Sequence, residues 1–284
     1  MVLESVVIPE SWENHPQRML IIGFLYSTVG LFLGLIVFGK YASLSGIFLT
    51  TIPLVVIMHR AFTCEEAKDM KSCQEYALMK EHLHVLYFFI YLFLGMVISY
   101  SFWFTFLPTD IVNNVCSSQI DTISSISRQV SATGAAIDKL GRLEVILNNN
   151  LMVWGFCILF SFLYGGGAIF ILTWNASVIG VAIGSVIREG LRTIARLQNN
   201  PLLINYFTVL PLGLSYLVHG LPEIVSYFLA ALAGGIISVA VACHHYKSKE
   251  FWHVVWDSLD LVIVSLLVLL AAAFTEVYIT PILL

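Results

Sequence analysis

The sequence predicts an all-α integral membrane protein, built as a polytopic bundle of transmembrane helices. Hydrophobic residues make up 58% of the 284-residue chain, and only 11% of its residues are charged. A soluble domain carries about 25% charged residues, so this chain has too few charges to cover a water-exposed surface. Several apolar runs also reach the roughly twenty residues that a helix needs to cross a bilayer. We therefore expect a multi-pass protein of the cell membrane.

Six apolar runs have the length of a membrane span, and a seventh is shorter. The first run follows residues of mixed charge and is longer than the core of a signal peptide, so we expect no cleaved signal. The seventh, Leu44–Met58, contains Pro53 and predicts a thin span. The six longer runs are Met19–Phe38, Val85–Leu107, Leu151–Leu172, Leu202–Val218, Ile224–Cys243 and Val254–Thr275.

The segment Trp174–Ile187 is too short for a helix that crosses the membrane, and this predicts a re-entrant helix. If the segment enters and returns, three groups of basic residues share one face, as the positive-inside rule requires. The expected arrangement is seven spans plus one re-entrant helix, with a cytoplasmic amino end and an extracytoplasmic carboxyl end. The basic groups are Arg60, Lys68, Lys71 and Lys80; Arg188, Arg192 and Arg196; and Lys247 and Lys249.

Residues 108–150 are a polar segment, expected to form an extracytoplasmic loop with an amphipathic helix. Apolar residues recur there at alternating offsets of three and four, which is a heptad pattern. The helix either pairs with a sister subunit or partner, or lies on its own membrane domain. The first alternative predicts a homodimer, and an extracytoplasmic protein partner bound through residues 120–147. The apolar positions are Ile123, Ile126, Val130, Ile137, Leu140 and Leu147.

No motif predicts an enzyme, a cofactor site or a metal site. The loop after the second run contains three histidines and two cysteines, but only one pair has the close spacing of a structural zinc site. Its mixed charges are typical of a solvated helical hairpin. No metalloprotease, serine-hydrolase or phosphate-loop motif is present, and no basic cluster predicts nucleic acid. The five candidate ligands are His59, Cys64, Cys73, His82 and His84.

The stretch HGLPEI, His219–Ile224, places a histidine and a carboxylate inside an apolar region, where ionisable groups are rarely found without a function. Gly220 is expected to end one helix, and Pro222 to begin the next. Glu223 would then lie in a first turn, where the helix dipole favours an anion. This assigns His219 and Glu223 to two different helices.

The sequence is consistent with two locations of that junction relative to the membrane. It is either an ordinary outer loop, or a break at membrane depth like the discontinuous helices of transporters. In the second case Asn175, His219 and Glu223 would line a polar cavity, with Arg188 and Glu189 near its inner mouth. Glu276, which closes the last span, completes the set of candidate ligand- or ion-binding residues.

These features together resemble the stage II sporulation protein M family, over residues from about Glu81 to Leu284. One element is the run NNLMVWGFCILFSFLYGGGAIFILTWNASVIGVAIG, in which Asn175 precedes Ala176 where the family has an Asn-Gly pair. The glycines of this run are interpreted as allowing close helix approach within a span. The family's His-Gly-x-x-Glu element matches His219, Gly220 and Glu223, and its Glu-x-Tyr-(Leu/Ile)-x-Pro element matches Glu276, Tyr278, Ile279 and Pro281.

The resemblance implies a non-enzymatic membrane component. The family's namesake anchors peptidoglycan-degrading partners during engulfment in endospore-forming bacteria, so a scaffold or recruitment role is the leading hypothesis. A transporter or channel using the polar residues is the alternative, and an intramembrane enzyme is a distant third. Residues 1–82, with two spans and a charged cytoplasmic loop, are expected to be an extension to a membrane domain formed by residues 83–284.

Overall fold

The computed structural model describes residues 16–69, 75–132, 139–164, 167–197, 202–242 and 251–283. Its regular structure within these ranges is helical, which confirms the all-α prediction. The helices are α1 (Arg18–Phe38), α2 (Ala42–Asp69), α3 (Glu75–Phe106), α4 (Thr109–Val115), α5 (Ser117–Ala132), α6 (Lys139–Tyr164), α7 (Ala168–Leu197), α8 (Leu202–Leu214), α9 (Leu217–Ala242), α10 (Phe251–Tyr278) and α11 (Thr280–Leu283).

Six helical stretches of the described chain are long and apolar enough to cross a membrane, as a multi-pass membrane protein requires. The first stretch, Arg18–Cys64, contains both α1 and most of α2. The chain turns between them at a short 3₁₀ segment that starts at Gly39, whose φ of 53° is one that glycine adopts readily. Pro53 lies within α2 without ending it.

Small residues bring α1 and α3 into close contact. Gly23 on α1 faces the backbone of Leu92, and Gly95 on α3 faces the backbone of Leu20. A side chain at either glycine would overlap backbone atoms of the other helix. Small residues in membrane helices permit this close approach, and dispersion contacts between the backbones then stabilise the pair.

The predicted re-entrant segment Trp174–Ile187 is part of a much longer helix. The predicted span Leu151–Leu172 is wrong, because α6 ends at Tyr164 and α7 begins at Ala168, so its residues belong to two helices. The re-entrant helix was predicted because the segment is short. Helix α7 has 30 residues and is about 45 Å long, so this reason no longer holds.

The basic groups near Arg60 and Arg188 lie toward opposite ends of the bundle. Arg60 lines a cavity with Phe88, near the start of the apolar part of α3. Arg188 donates a hydrogen bond to the carbonyl of Phe104, sixteen residues or about 24 Å further along that helix. The prediction that these groups share one face is therefore wrong, because α7 runs the whole length of α3. We call the two ends of the bundle the Arg60 end and the Phe106 end.

Helix α5 is attached to the Phe106 end by a buried amide. Gln119 accepts a hydrogen bond from the Ser43 hydroxyl at 2.7 Å and donates one to the Ser177 hydroxyl at 3.1 Å. Cys116, just before α5, is buried, and burial raises the pKa of its thiol to about 12. The thiol is therefore protonated at neutral pH and packs as a small apolar group.

The predicted heptad stripe is divided between two helices. Ile123 lies on α5 and packs on the core, whereas Ile126 on the same helix is exposed. Leu140 and Leu147 lie on α6, which continues into the bundle. Residues 133–138, including Ile137, are outside the described ranges. The contacts of α5 with its own bundle agree with the amphipathic alternative for this helix.

Helices α8 and α9 follow one another along α7, with a break between them. Val209 packs on Gly190, Gly213 on Ile183 and Ile187, and Gly220 on Ile179. The chain thus runs in one direction past α7, and its helix is irregular at residues 215–216, opposite the middle of α7, where the backbone hydrogen bonds continue through a tighter turn.

The junction predicted at Gly220 and Pro222 is wrong in its position, because both residues lie inside α9. Gly220 has no positive φ, and its amide donates to the carbonyl of Tyr216. Pro222 removes one hydrogen bond of the helix ladder, which membrane helices tolerate when they are buried in protein. His219 and Glu223 therefore lie one turn apart on a single helix.

Candidate functional site

A group of ionisable and polar side chains lies between α6, α9 and α10, inside the bundle. We call it the carboxyl cluster. Three of its members, His219, Glu223 and Glu276, were predicted as site residues. The cluster consists of Arg142 and Asn150 on α6, His219 and Glu223 on α9, Glu276 on α10, and Thr280 at the start of α11.

Glu223 is the centre of the cluster. The Asn150 amide donates a hydrogen bond of 2.7 Å to its Oε1 atom. Its carboxyl group also lies close enough to that of Glu276 for the two groups to interact. Two ionised carboxylates in contact repel each other, so a proton or a cation held between them would stabilise the contact.

Arg142 provides the opposite charge. It lies two turns before Asn150 on α6 and interacts electrostatically with both Glu276 and His219. This guanidinium offsets part of the negative charge of the carboxyl pair. This balance matters because an unpaired charge inside a bundle is strongly unfavourable.

His219 connects α9 to the end of α10. Its Nδ1 atom lies 3.1 Å from the Thr280 hydroxyl, which donates to the carbonyl of Thr275 at 3.3 Å. Either the ring nitrogen or the hydroxyl can be the donor of the bond between His219 and Thr280, depending on the tautomer of the ring.

The positions of its residues along α6 and α7 show that the cluster lies away from the ends of the bundle. Asn150 is the twelfth of the 26 residues of α6, about 17 Å from its first residue. Gly220, less than one turn before Glu223, packs on Ile179, which is the twelfth of 30 residues in α7. Glu276 lies near the carboxyl end of α10, because α10 extends further toward the Arg60 end. Ionisable groups at such depth are rare and mark ion or substrate pathways in membrane proteins.

The other three predicted site residues lie elsewhere. Asn175 donates its amide hydrogen to the carbonyl of Ile171 in its own helix, at 2.8 Å, and not to His219 or Glu223. Arg188 and Glu189 lie at the Phe106 end, where Arg188 contacts α3 and the start of α4. They were assigned to an inner mouth because α7 was expected to be short.

Sequence reasoning missed Asn150, Arg142 and Thr280. The span was predicted to begin at Leu151, so both α6 residues were assigned to the polar loop. A signal was present, since Asn150 directly precedes an apolar run and can lie on the buried side of the first turns of a span. Thr280 lies inside the family element that contains Glu276, but its contact with His219 depends on tertiary structure.

The inner-loop histidines and cysteines do not form a metal site in the part of the chain that can be assessed. Among the described side chains, no three His, Cys, Asp or Glu residues come together in a way that could hold a metal ion. Cys73, His82 and His84 lie outside the side chains described.

The fold and the carboxyl cluster define a polytopic helical membrane protein with an ionisable site inside its bundle. The chain belongs to the stage II sporulation protein M family, whose model matches residues 84–281. This match contains all six members of the cluster, and α1 and α2 precede it. An uncharacterized protein of Methanocaldococcus jannaschii is 32% identical over 139 residues, which cover 48% of this chain and 69% of that relative. No solved structure matches the chain significantly.

Proposed function

We propose that this protein is a transport-type membrane component, in which the carboxyl cluster binds a proton or a small monovalent cation. The observation that carries the proposal is the position of the carboxyl pair. Glu223 and Glu276 meet at depth in the bundle, less than three turns from the interruption between α8 and α9. Discontinuous helices beside buried polar groups are the usual ion and substrate sites of secondary transporters.

The chemistry of the pair suggests how binding would change the structure. We expect a proton bound between the two carboxyl groups to hold them together; its loss leaves two adjacent carboxylates with one guanidinium to offset them, and their repulsion favours separation of α9 from α10. A small cation between the carboxylates would restore the contact, since carboxylate oxygens are suitable ligands for hard cations. His219 lies one turn closer to the Phe106 end than Glu223, and Arg142 lies two turns closer to that end than Asn150.

Flux measurements in reconstituted vesicles test this proposal. Vesicles loaded with a pH-sensitive dye and containing the full chain should dissipate an imposed gradient of protons, sodium or potassium faster than protein-free vesicles. Glu223→Gln and Glu276→Gln should each reduce this flux at least about tenfold, because an amide cannot exchange the shared proton. Glu144→Gln is the matched control, since Glu144 is an exposed carboxylate on α6, and its flux should be unchanged.

Two results would overturn the proposal. One is the same flux in wild-type and protein-free vesicles for all three cations. The other is full flux in Glu223→Gln, measured in protein whose thermal stability matches that of the wild type.

A scaffold role is the second candidate, favoured by the way α5 is held. Its buried Gln119 bonds to α2 and α7, so the helix is fixed to the bundle while its other face, including Ser125 and Ile126, is exposed. Under the predicted orientation with a cytoplasmic amino end, this face is extracytoplasmic. It would bind a protein partner or a second copy of the chain, as predicted for residues 120–147.

Crosslinking in membranes of the native organism tests the scaffold role. A photoreactive residue at position 125 should yield a specific adduct, and Ile126→Asp should reduce its yield. Glu223→Gln should leave the adduct unchanged. No adduct from position 125, together with a monomeric mass in mild detergent, would contradict both the partner and the homodimer.

A further inference from the structure

A cavity of about 450 Å³ lies at the Phe106 end, away from the carboxyl cluster, between the end of α3, helix α4 and the second half of α7. This volume falls within the range of roughly 300–1,000 Å³ that small-molecule sites occupy. Two arginines and a glutamate of α7 line it together with neutral donors. These residues are Arg188, Arg192, Glu189, Ser185, Thr109 and Asn113.

The guanidinium of Arg188 is held in one orientation by the end of α3. The carbonyl of Phe104 would normally accept a hydrogen bond from residue 108, but residue 108 is proline and has no N–H group. Arg188 takes that place, donating to Phe104 O at 2.9 Å and to the Thr109 hydroxyl at 2.9 Å. Pro108, which follows the end of α3, therefore also leaves a carbonyl that holds the positive charge of Arg188 at the wall of the cavity.

Arg192 lies one turn further along the same face of α7. Its only described ion pair is with Glu189, at 3.7 Å, and the two side chains are 50% and 69% exposed. Exposed pairs of this kind contribute little to stability, so an anion can compete with Glu189 for Arg192. Two arginines against one glutamate leave the cavity wall with a net positive charge.

The cavity is positioned where a membrane surface would be. It opens beside Pro108 and Thr109, directly after the apolar stretch Val85–Phe106 ends. Next to it, the exposed ring of Phe106 lies 5.7 Å from that of Tyr206. A positively charged pocket above an exposed aromatic surface suits a ligand with an anionic head and an apolar tail.

We propose that this cavity binds the phosphate group of an anionic ligand, with Arg188 and Arg192 as its cationic contacts. Arginine is suited to this because its planar guanidinium can donate two parallel hydrogen bonds to a phosphate. The phosphate can belong to a phospholipid headgroup or be free in solution. The site does not depend on the proposed function of the carboxyl cluster.

Native mass spectrometry of the full chain in mild detergent tests this site, with phosphatidylglycerol titrated as the probe and phosphatidylcholine as the neutral comparison. Arg192→Gln should weaken phosphatidylglycerol binding about tenfold, because it removes a charge-assisted contact without removing the cap on α3. Glu189→Gln should strengthen binding. Arg196→Gln is the matched control, since Arg196 lies one turn beyond Arg192 on α7 and does not line the cavity, and it should bind as the wild type does.

A second titration with inorganic phosphate identifies the source of the ligand. Phosphatidylglycerol binding that requires Arg192, without phosphate binding, assigns the cavity to a lipid headgroup, and binding of both probes extends it to free phosphate. The proposal is overturned if neither probe binds, or if Arg192→Gln and Arg196→Gln retain phosphatidylglycerol equally well. It is also overturned if the wild type retains phosphatidylcholine as strongly as phosphatidylglycerol.

Discussion

The contact between α1 and α3 and the contact between α6, α9 and α10 join helices by opposite means. In the first, Gly23 and Gly95 bring two backbones so close that no side chain fits between them. In the second, Asn150, Glu223 and Glu276 connect the helices through polar atoms, and Gly234 packs on the backbone of α6 further along. The first contact therefore depends on shape, and the second depends on hydrogen-bond and charge balance.

This difference has a functional consequence. The residues of a close-packed apolar contact have no polar group that could bind a proton or an ion instead. We therefore expect this contact to remain intact in every state of the protein. A polar contact can exchange a proton or an ion and can reform with a different geometry. If the protein has moving parts, we expect them at the carboxyl cluster and the α8–α9 break, and we expect α1–α3 to act as the fixed body.

The largest expected effect is at the close-packed contact. Gly95→Val should destabilise the protein by about 3 kcal/mol, because the new side chain overlaps the backbone of Leu20, which cannot move alone. The midpoint of thermal unfolding in detergent, followed by loss of the monodisperse peak in gel filtration, measures this effect. An unchanged midpoint would show that α1 and α3 are not in backbone contact.

A smaller loss is expected at the carboxyl cluster. Asn150→Leu should cost about 2 kcal/mol, because Glu223 loses the amide that donates to it while remaining half-buried between the helices. Asn148→Leu is the control, because Asn148 is exposed on the same helix. A double-mutant cycle with Glu223→Gln isolates the pair, and additive effects of the two substitutions would contradict a direct contact.

The neutral hydrogen bond between Trp154 and Ser265 should contribute less to the free energy of unfolding than the bond from Asn150 to the Glu223 carboxyl group. Trp154 donates from Nε1 to the Ser265 hydroxyl at 2.9 Å, and Trp154→Phe should cost about 1 kcal/mol. Trp256→Phe, at an exposed tryptophan of α10, should have almost no effect on unfolding. If Trp154→Phe and Asn150→Leu lower the free energy of unfolding equally, the carboxyl group does not make the Asn150 contact stronger than a neutral one.

The smallest effect is expected at a glycine without neighbours. Gly155 on α6 has open space where a side chain would lie, so Gly155→Ala should stabilise the helix by about 0.5 kcal/mol. The same unfolding assay measures it beside Gly95→Val. A clear destabilisation at Gly155 would instead indicate that another copy of the chain packs on this face of α6.

The helical membrane class was predictable because composition alone excludes a water-exposed surface. The elements of the fold were predicted well where an apolar run has polar ends, as in α1, α3 and α10. They were predicted poorly around Tyr164–Gly167 and Ser215–Tyr216, where both flanking segments are apolar. There the hydropathy pattern contains no boundary, so it does not show where one helix ends and the next begins.

The candidate site was predicted in part for a similar reason. Buried ionisable residues are rare in apolar segments, so His219, Glu223 and Glu276 could be recognised one by one. Their assembly into one cluster with Asn150 and Arg142 could not, because those residues are separated by more than seventy positions in the chain. The exclusion of Asn175 and Arg188 from the cluster likewise depends on the length and direction of α7.

The sequence by itself determined that this is a helical membrane protein of the stage II sporulation protein M family with carboxylates inside its apolar segments. Tertiary structure alone decided which carboxylates meet, how deep they lie, and that Arg188 faces a separate cavity at the Phe106 end. The physical reason is that hydropathy depends on each residue's own transfer free energy, whereas hydrogen bonding and charge balance depend on pairs. Such pairs form only when helices far apart in the chain pack against each other.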